Sequence, residues 1–320
     1  MEKFKHNHIM VPMFGNAIEK RAGLEKVTDA YRLVHRDECG PFSIDRYGEW
    51  LLVTGYDESI SSAELLKRLE PELRKLPYRG GIVRTNVRDP HRRKLFKDTV
   101  AFGEPVPESF FVTEHGLKYE ISLNDSQHPG LFLDQRESRR RVAAAASGKR
   151  VANLFSFTCS FSVTAAAAGA EVVFSVDLAG GCLDRGKRNF EANGLAESGR
   201  GKFIQEDVRK WLARQLRRQD SDPSGFPKWD LIICDPPVFA AAPKKGTAFS
   251  VEKEWPFLSK SIHSILSPGG AALFANNHRA GNDSFYFSVL QQQFPKVEPL
   301  KSPADFPTIG NPHVRSYWCC

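Results

Sequence analysis

Asp235-Pro236-Pro237-Val238-Phe239 is the segment best equipped for chemistry, and it follows directly on the apolar run 229–234. The two prolines remove backbone donors and fix φ, so they end the run and hold a rigid loop beyond it. A carboxylate at this point, with the carbonyls beside Pro236 and Pro237, can orient a planar acceptor, and Phe239 can offer it a stacking face. Two bland alternatives stand beside this reading: proline pairs also occur in inert loops, and Phe239 could be ordinary core. Polar groups end other apolar runs nearby. Asp177 follows 171–176, Asp207 follows 202–205, and Asn276-Asn277-His278-Arg279 follows shortly on 270–274. Core packing does not explain such a set.

The elements that must position these groups alternate in type. Residues 151–155, 171–176, 202–205, 229–234 and 270–274 read as strands, and 162–168, 182–193, 208–218 and 252–266 as helices. Alternation of this kind implies an α/β fold with a parallel sheet covered on both faces, and ligands then bind beyond the carboxyl ends of the strands. The loop Asn153-Leu154-Phe155-Ser156-Phe157-Thr158-Cys159-Ser160-Phe161 should bring its backbone against a ligand and open a helix, with Thr158 or Ser160 as N-cap. It lacks the spaced glycines that admit a pyrophosphate, which argues against NAD or ATP. Asp177 is suited to accept both hydroxyls of a ribose. Asp207 could hold an adenine amino group or cap the following helix.

Taken together, these residues resemble the bacterial large-subunit ribosomal RNA methyltransferases of the RlmI and RlmK group, and more closely the guanine-N7 type. The likeness runs from roughly Ala30 to the C-terminus. It rests on Gly130-Leu131-Phe132-Leu133-Asp134-Gln135-Arg136, Asn153-Leu154-Phe155-Ser156-Phe157-Thr158, Ser175-Val176-Asp177, Asp235-Pro236-Pro237-x-Phe239 and Phe274-Ala275-Asn276-Asn277-His278-Arg279. The resemblance implies a Rossmann-like class I methyltransferase domain over residues 129–320, with a mostly parallel seven-stranded sheet, and a smaller N-terminal α/β substrate-recognition domain over 1–128. It implies S-adenosylmethionine (SAM) as cofactor, enclosed by Asp134, Gln135 and Arg136, by Asn153, Phe155, Ser156, Phe157 and Thr158 of the first loop, and by Asp177, Leu178, Asp207 and Val208. Asp235 would face both SAM and the acceptor base, with Pro236, Pro237 and Phe239 on the acceptor side. The implied partner is 23S ribosomal RNA or a large-subunit assembly intermediate. Cys159 departs from the pattern, which usually has glycine there. A positive φ at that position would strain Cys159.

Chemistry narrows the acceptor atom. Cytosine C5 is a poor nucleophile, so enzymes that methylate it attack the ring with a cysteine. The relatives that do so carry this cysteine just after the fifth strand, where this chain has Asn276 and Asn277. Cys234 reads as a buried strand thiol rather than a nucleophile. Guanine N7 carries an accessible lone pair and needs neither base nor covalent intermediate. Alignment and exclusion of water then suffice, and positioning of that kind supplies roughly 7–11 kcal/mol. Asn276 and Asn277 could read the guanine edge, while His278 and Arg279 could contact RNA or sit in a solvated loop. Exocyclic amine methylation is weakened because Val238, not an aromatic, follows the second proline. The alternatives that stay open are a cytosine-C5 enzyme and a non-catalytic RNA-binding or ribosome-assembly factor with the same fold.

Charge agrees with an RNA partner. The 320-residue chain carries net charge +7 and a pI of about 9.1, which favours phosphate backbones through counterion release. The cluster Arg88-Asp89-Pro90-His91-Arg92-Arg93-Lys94 is the best RNA track, since Pro90 places Arg92 and Arg93 on a loop. Ahead of about Pro129, residues 31–34, 42–45, 50–54, 81–86, 110–113 and 117–123 read as strands, 62–76 as a helix with a weak capping box at Ser62, and His115-Gly116 as a hairpin turn. The extra N-terminal RNA-binding module of the cytosine-C5 relatives finds no room. Six cysteines with no C-x-x-C pair suggest neither zinc nor a disulfide framework. No apolar stretch suggests a membrane span or signal peptide, so the cytoplasm is expected.

Overall fold

The computed structural model describes residues 14–36, 38–88, 95–124, 128–241, 248–278, 281–307 and 314–320, with backbone alone at 86–88 and 95–97. Arg92, Arg93 and Arg279 lie outside the described residues. The chain forms two compact units. One holds Met1–Gly116, Ile121–Pro129 and Ala304–Pro307, and the other Leu117–Glu120, Gly130–Pro303 and Thr308–Cys320.

The first unit contains α1 (Gly15–Glu19), β1 (Ala30–Val34), β2 (Phe42–Tyr47), β3 (Trp50–Gly55), α2 (Ser62–Leu73), β4 (Gly80–Arg88), β5 (Leu95–Gly103) and β6 (Phe110–Glu114). The sheet runs β1-β2-β3-β4-β5, antiparallel except where β3 and β4 pair in parallel across the α2 crossover. Leu65, Leu69 and Leu73 of α2 recur at helical spacing and bury against Ile44, Leu51, Val53 and Val83 of the sheet. The helix starts one residue from the expected cap. Ser61, not Ser62, caps it by accepting from the Glu64 N–H at 3.2 Å, because the Ser62 hydroxyl is buried and donates to the Asp98 carbonyl at 2.6 Å. Strand β5 was not expected from the sequence, where Lys97 and Asp98 interrupt its apolar pattern.

The second unit continues with β7 (Leu117–Ile121), α3 (Arg136–Ala145), β8 (Arg150–Leu154), α4 (Ser160–Ala167), β9 (Val172–Asp177), α5 (Gly180–Ala192), β10 (Gly201–Gln205), α6 (Val208–Ser221), β11 (Trp229–Cys234), β12 (Phe239–Ala240), β13 (Phe249–Ser250), α7 (Val251–Ile265), β14 (Leu266–Asn276), α8 (Asp283–Gln291), β15 (Val297–Pro299) and β16 (Arg315–Cys319). Its sheet has the order β10-β9-β8-β11-β14-β16-β15. The first five strands are parallel, and β16 runs antiparallel to both β14 and β15. This is the expected mostly parallel seven-stranded sheet. The chain leaves β8 toward β9 and β10 and then returns to β11 on the other side, which opens a crevice beyond the strand ends at β8.

Strands covered on both faces should be nearly continuous apolar runs, and Leu231, Ile232, Ile233 and Cys234 of β11 are all buried. Val208, Trp211, Leu212 and Gln215 mark the inward stripe of α6, and Val251, Trp255, Leu258, Ile262 and Ile265 that of α7. Cys319 of β16 is a core residue, while Cys320 is exposed. Among the described residues, no helix is long and apolar enough to cross a membrane.

Candidate active site

Every strand end singled out in the sequence belongs to the second unit. Beyond β8 the backbone takes a left-handed turn three times in five residues, at Phe155 (φ 57°), Phe157 (φ 48°) and Cys159 (φ 63°). None is glycine, and the αL region costs an ordinary residue about 1–3 kcal/mol. The Ser156 N–H donates to the Val176 carbonyl at 3.1 Å and the Phe157 N–H to Asp177 Oδ2 at 2.8 Å, so the loop is drawn onto the end of β9. Neither Thr158 nor Ser160 caps α4. Cys159 occupies the cap position with no side-chain bond to the helix, and Thr158 Oγ1 donates to the Gly130 carbonyl at 2.5 Å instead.

Cys159 is strained as the sequence warned, and α5 accommodates it. A Cβ at Gly186 would sit 2.4 Å from the Cys159 sulfur and 2.9 Å from its Cβ, so the missing side chain at 186 is the space the thiol fills. Burial pushes this thiol up to about 12, and it is inert at neutral pH. Gly186→Ala is therefore expected to lose about 1–3 kcal/mol by overpacking. Adding Cys159→Gly should restore part of that loss. Denaturant unfolding of the two single variants and the double variant checks it, and additive losses would mean that the two residues do not share the space.

Asp177 ends β9 with each carboxylate oxygen accepting one backbone N–H, Oδ2 from Phe157 and Oδ1 from Ala179 at 2.8 Å. A carboxylate offers about four acceptor positions, so both oxygens keep capacity for a pair of hydroxyls. Leu178, next in the chain, is an apolar side chain left 51% exposed. A carboxylate with spare acceptors beside an uncovered apolar surface fits the ribose and adenine of SAM. Asp207 caps α6 through the Arg209 N–H at 2.8 Å, and the Arg209 guanidinium grips the same carboxylate, holding it below the usual range. Asn153, Ser156, Thr158 and Val208 are buried, so they support the crevice wall rather than expose side chains to a ligand. Asn153 Nδ2, for instance, donates to Ser162 Oγ at 2.9 Å.

Of the three residues 134–136, Asp134 alone keeps surface exposure, while Gln135 and Arg136 are buried. Gln135 turns toward the loop beyond β11, where its Nε2 donates to Asp235 Oδ2 at 3.1 Å. Burial pushes the Asp235 carboxyl up to about 7, the Asp134 carboxylate adds to the rise, and Gln135 and Arg139 oppose it. Pro236 is buried and Pro237 exposed. Phe239, on β12, is 65% exposed, which removes the core alternative and leaves its ring free to stack. Phe239→Ala should leave folding stability within about 0.5 kcal/mol but raise KM for a nucleic-acid acceptor roughly tenfold, since a stacked base is worth about 1–3 kcal/mol. Unchanged KM would remove the stacking role.

Beyond β14 the structure separates the two asparagines. Asn276 is fully buried and its Oδ1 accepts the His278 N–H at 3.2 Å, whereas Asn277 is exposed. Asn276 thus supports the turn through its Oδ1, while its Nδ2 has no hydrogen-bond partner among the described residues. His278 is half-buried with Nδ1 against the Tyr286 hydroxyl. Two supporting residues of β16 were not expected from the sequence. Arg315 of β16 donates to the His278 carbonyl at 2.7 Å and the Gly281 carbonyl at 3.3 Å, and Ser316 donates to Gln135 Oε1 at 3.3 Å. Their only local signal was a short apolar-aromatic run near the C-terminus, too brief to read as a strand. Among the described residues, no cluster of ligating side chains could hold a metal ion.

Comparison with known proteins agrees with this architecture. The profile of the family described as S-adenosylmethionine-dependent methyltransferase matches residues 49–314. The chain is 33% identical to the ribosomal RNA large subunit methyltransferase K/L of Shewanella sp. strain MR-4, over 97% of this chain and 44% of the relative. It is 31% identical to the protein of the same name from Shewanella oneidensis, over 97% and 43%. It spans less than half the length of these curated relatives. A solved structure from Streptococcus mutans, assigned as a SAM-dependent methyltransferase, superposes with a TM-score of 0.79 at 28% identity, over 96% of this chain and 79% of that one. A structure assigned as a methyltransferase and complexed with S-adenosylhomocysteine superposes with a TM-score of 0.81, also at 28% identity and with the same coverage. With the doubly wound sheet, the Asp177 crevice and the Asp-Pro-Pro loop in one unit, the chain belongs to the S-adenosylmethionine-dependent methyltransferase family.

Proposed function

We propose that this methyltransferase modifies large-subunit (23S) ribosomal RNA, or an assembly intermediate that contains it, at guanine N7. The observation that carries the reading is the make-up of the acceptor loop: the Asp235-Pro236-Pro237 turn leads to an exposed Phe239 ring, and the thiol beside it, Cys234, is fully buried. Cytosine-C5 chemistry needs a thiolate, and the nearest cysteine, Cys234, is fully buried with its thiol pushed well above the ordinary range by that burial. Bound SAM supplies an electrophilic methyl group. Asp177 would hold its ribose and Leu178 would cover its adenine, with Asp207 at the adenine rim. Phe239 stacks the purine, the carbonyls beside Pro236 and Pro237 orient it, and exposed Asn277 meets its edge. The ionised Asp235 carboxylate offsets the positive charge that a purine gains on N7 methylation, an electrostatic effect that strengthens when water is excluded. Asp235 also favours a second reading, since a carboxylate near neutrality could take the proton released by an exocyclic amine.

In this reading residues 1–128 recognise the substrate and 129–320 carry out transfer, with Arg92, Arg93, His278 and Arg279 on the RNA. A basic chain of net charge +7 suits that partner, and the cytoplasm is where it would be met. The relatives' printed name, ribosomal RNA large subunit methyltransferase, agrees. The test is methyl transfer from labelled SAM to unmodified large-subunit RNA, small-subunit RNA and transfer RNA in parallel. Label confined to large-subunit RNA, free or in assembly intermediates added as a fourth substrate, is expected; equal label on all the RNAs, or label on none of them including the intermediates, would overturn the substrate assignment.

A further inference from the structure

We infer that Gln135 is a positioning residue for the acceptor site: it fixes which oxygen of Asp235 meets the acceptor base, and it is itself fixed by Ser316 and Ser138. The inference rests on the proposed role of Asp235 and revises the assignment of Gln135 to the cofactor. The observation is a relay of buried polar groups from three elements. Ser138 Oγ of α3 donates to Ser316 Oγ of β16 at 3.2 Å, Ser316 Oγ donates to Gln135 Oε1 at 3.3 Å, and Gln135 Nε2 donates to Asp235 Oδ2 at 3.1 Å. Gln135, Ser138 and Ser316 are 2%, 3% and 8% exposed.

The direction of the relay follows from chemistry. An ionised carboxylate only accepts, so the amide must turn its NH2 group to Asp235 and its oxygen to the hydroxyl. Without the Ser316 hydroxyl, the amide loses the contact that tells one end from the other. A rotated amide would set oxygen against carboxylate. With Oδ2 engaged by Gln135, Asp235 Oδ1 has no hydrogen-bond partner among the described residues and is the oxygen left for the acceptor. The groups that set the charge of Asp235 are its burial, the Asp134 carboxylate, the Gln135 amide and the Arg139 guanidinium, in that order, and the amide favours the ionised form. Removing it must raise the Asp235 pKa.

The experiment follows the Asp235 carboxyl by NMR in aspartate-labelled protein, assigned by difference from Asp235→Asn, in wild type, Gln135→Leu and Ser316→Ala, together with SAM affinity and pH profiles of kcat. Expected is a titration near 7 in wild type, a higher one in Gln135→Leu and a smaller rise in Ser316→Ala. SAM affinity should be unchanged, and kcat at neutral pH about tenfold lower in Gln135→Leu, with partial recovery at alkaline pH. An unmoved titration in Gln135→Leu would overturn the inference, and so would a loss of SAM affinity in step with kcat. Should Gln135→Leu fail to fold, the Ser316→Ala titration decides. The titration needs no RNA, so absence of transfer by the wild type would count against the substrate reading and not against the relay.

Discussion

Asp235→Ala is expected to lower methyl transfer roughly 10²–10³-fold, the scale of removing one preorganised electrostatic partner from a reacting centre, while SAM affinity stays close to wild type. The separation follows from position. Asp235 lies on the rigid loop after β11 and is tied to Gln135, whereas the groups suited to the ribose and adenine lie beyond β9 and β10. Its pH behaviour should be equally distinctive. With the carboxyl pushed up to about 7, wild-type kcat should fall as pH drops through that value, because the carboxyl is then protonated. The effect on stability has the opposite sense. An acid whose folded value lies above its ordinary value binds its proton more tightly when folded, so its contribution is fully present below about 4 and is lost as pH rises through about 7. Asp235→Asn removes that loss. Thermal unfolding above pH 7 should show the inactive Asn variant to be the more stable protein, a trade of stability for function. An Asn variant no more stable than wild type above pH 7 would mean that the folded protein does not raise the Asp235 carboxyl. Equal losses of transfer and of SAM binding in Asp235→Ala would place Asp235 in the cofactor pocket.

The second large effect is expected at Asp177. Asp177→Ala should weaken SAM affinity by roughly 10²–10⁴-fold, since two hydrogen bonds to a charged acceptor are worth about 1.5–3 kcal/mol each. Damage extends beyond the lost ligand contacts, because the same carboxylate accepts the Phe157 and Ala179 N–H groups and so pins a turn already strained at Phe155, Phe157 and Cys159. Asp177→Asn separates the two effects: it keeps one acceptor oxygen but brings an NH2 group against one of these donors. Calorimetric titration should therefore rank wild type first, Asn next and Ala last. An Asn variant with wild-type affinity would show that charge at this position does not matter, and the ribose assignment would fall.

The fold was legible in the sequence where burial was two-sided. Residues 229–234 read as a strand and are one, because a strand covered on both faces needs no alternation to be recognised. The carboxylates after β9, β10 and β11 were legible for the complementary reason, as charges ending apolar runs. Other features were hidden by their brevity or their dependence on distant partners. Strand β16 is five residues long and buried throughout, and its place between β14 and β15 is set by long-range pairing. Nothing local to Ser316 points to Gln135, 181 positions earlier in the chain. The N-cap reading at Thr158 or Ser160 failed because propensity is a local argument, while Thr158 is claimed by Gly130 and the turn is claimed by Asp177. Cys159 shows the converse: its strain was foreseeable from one position, but the room that Gly186 leaves for its thiol was not.

The central claim is tested most directly by nucleoside analysis of the reaction product. Purified protein is incubated with isotopically labelled SAM and unmodified large-subunit ribosomal RNA, the RNA is digested, and the labelled nucleoside is identified by mass spectrometry. Labelled 7-methylguanosine is the predicted result, formed without a covalent enzyme intermediate. Labelled 5-methylcytidine would contradict the exclusion of cysteine chemistry, and labelled N2-methylguanosine would show that Asp235 serves an exocyclic amine rather than N7.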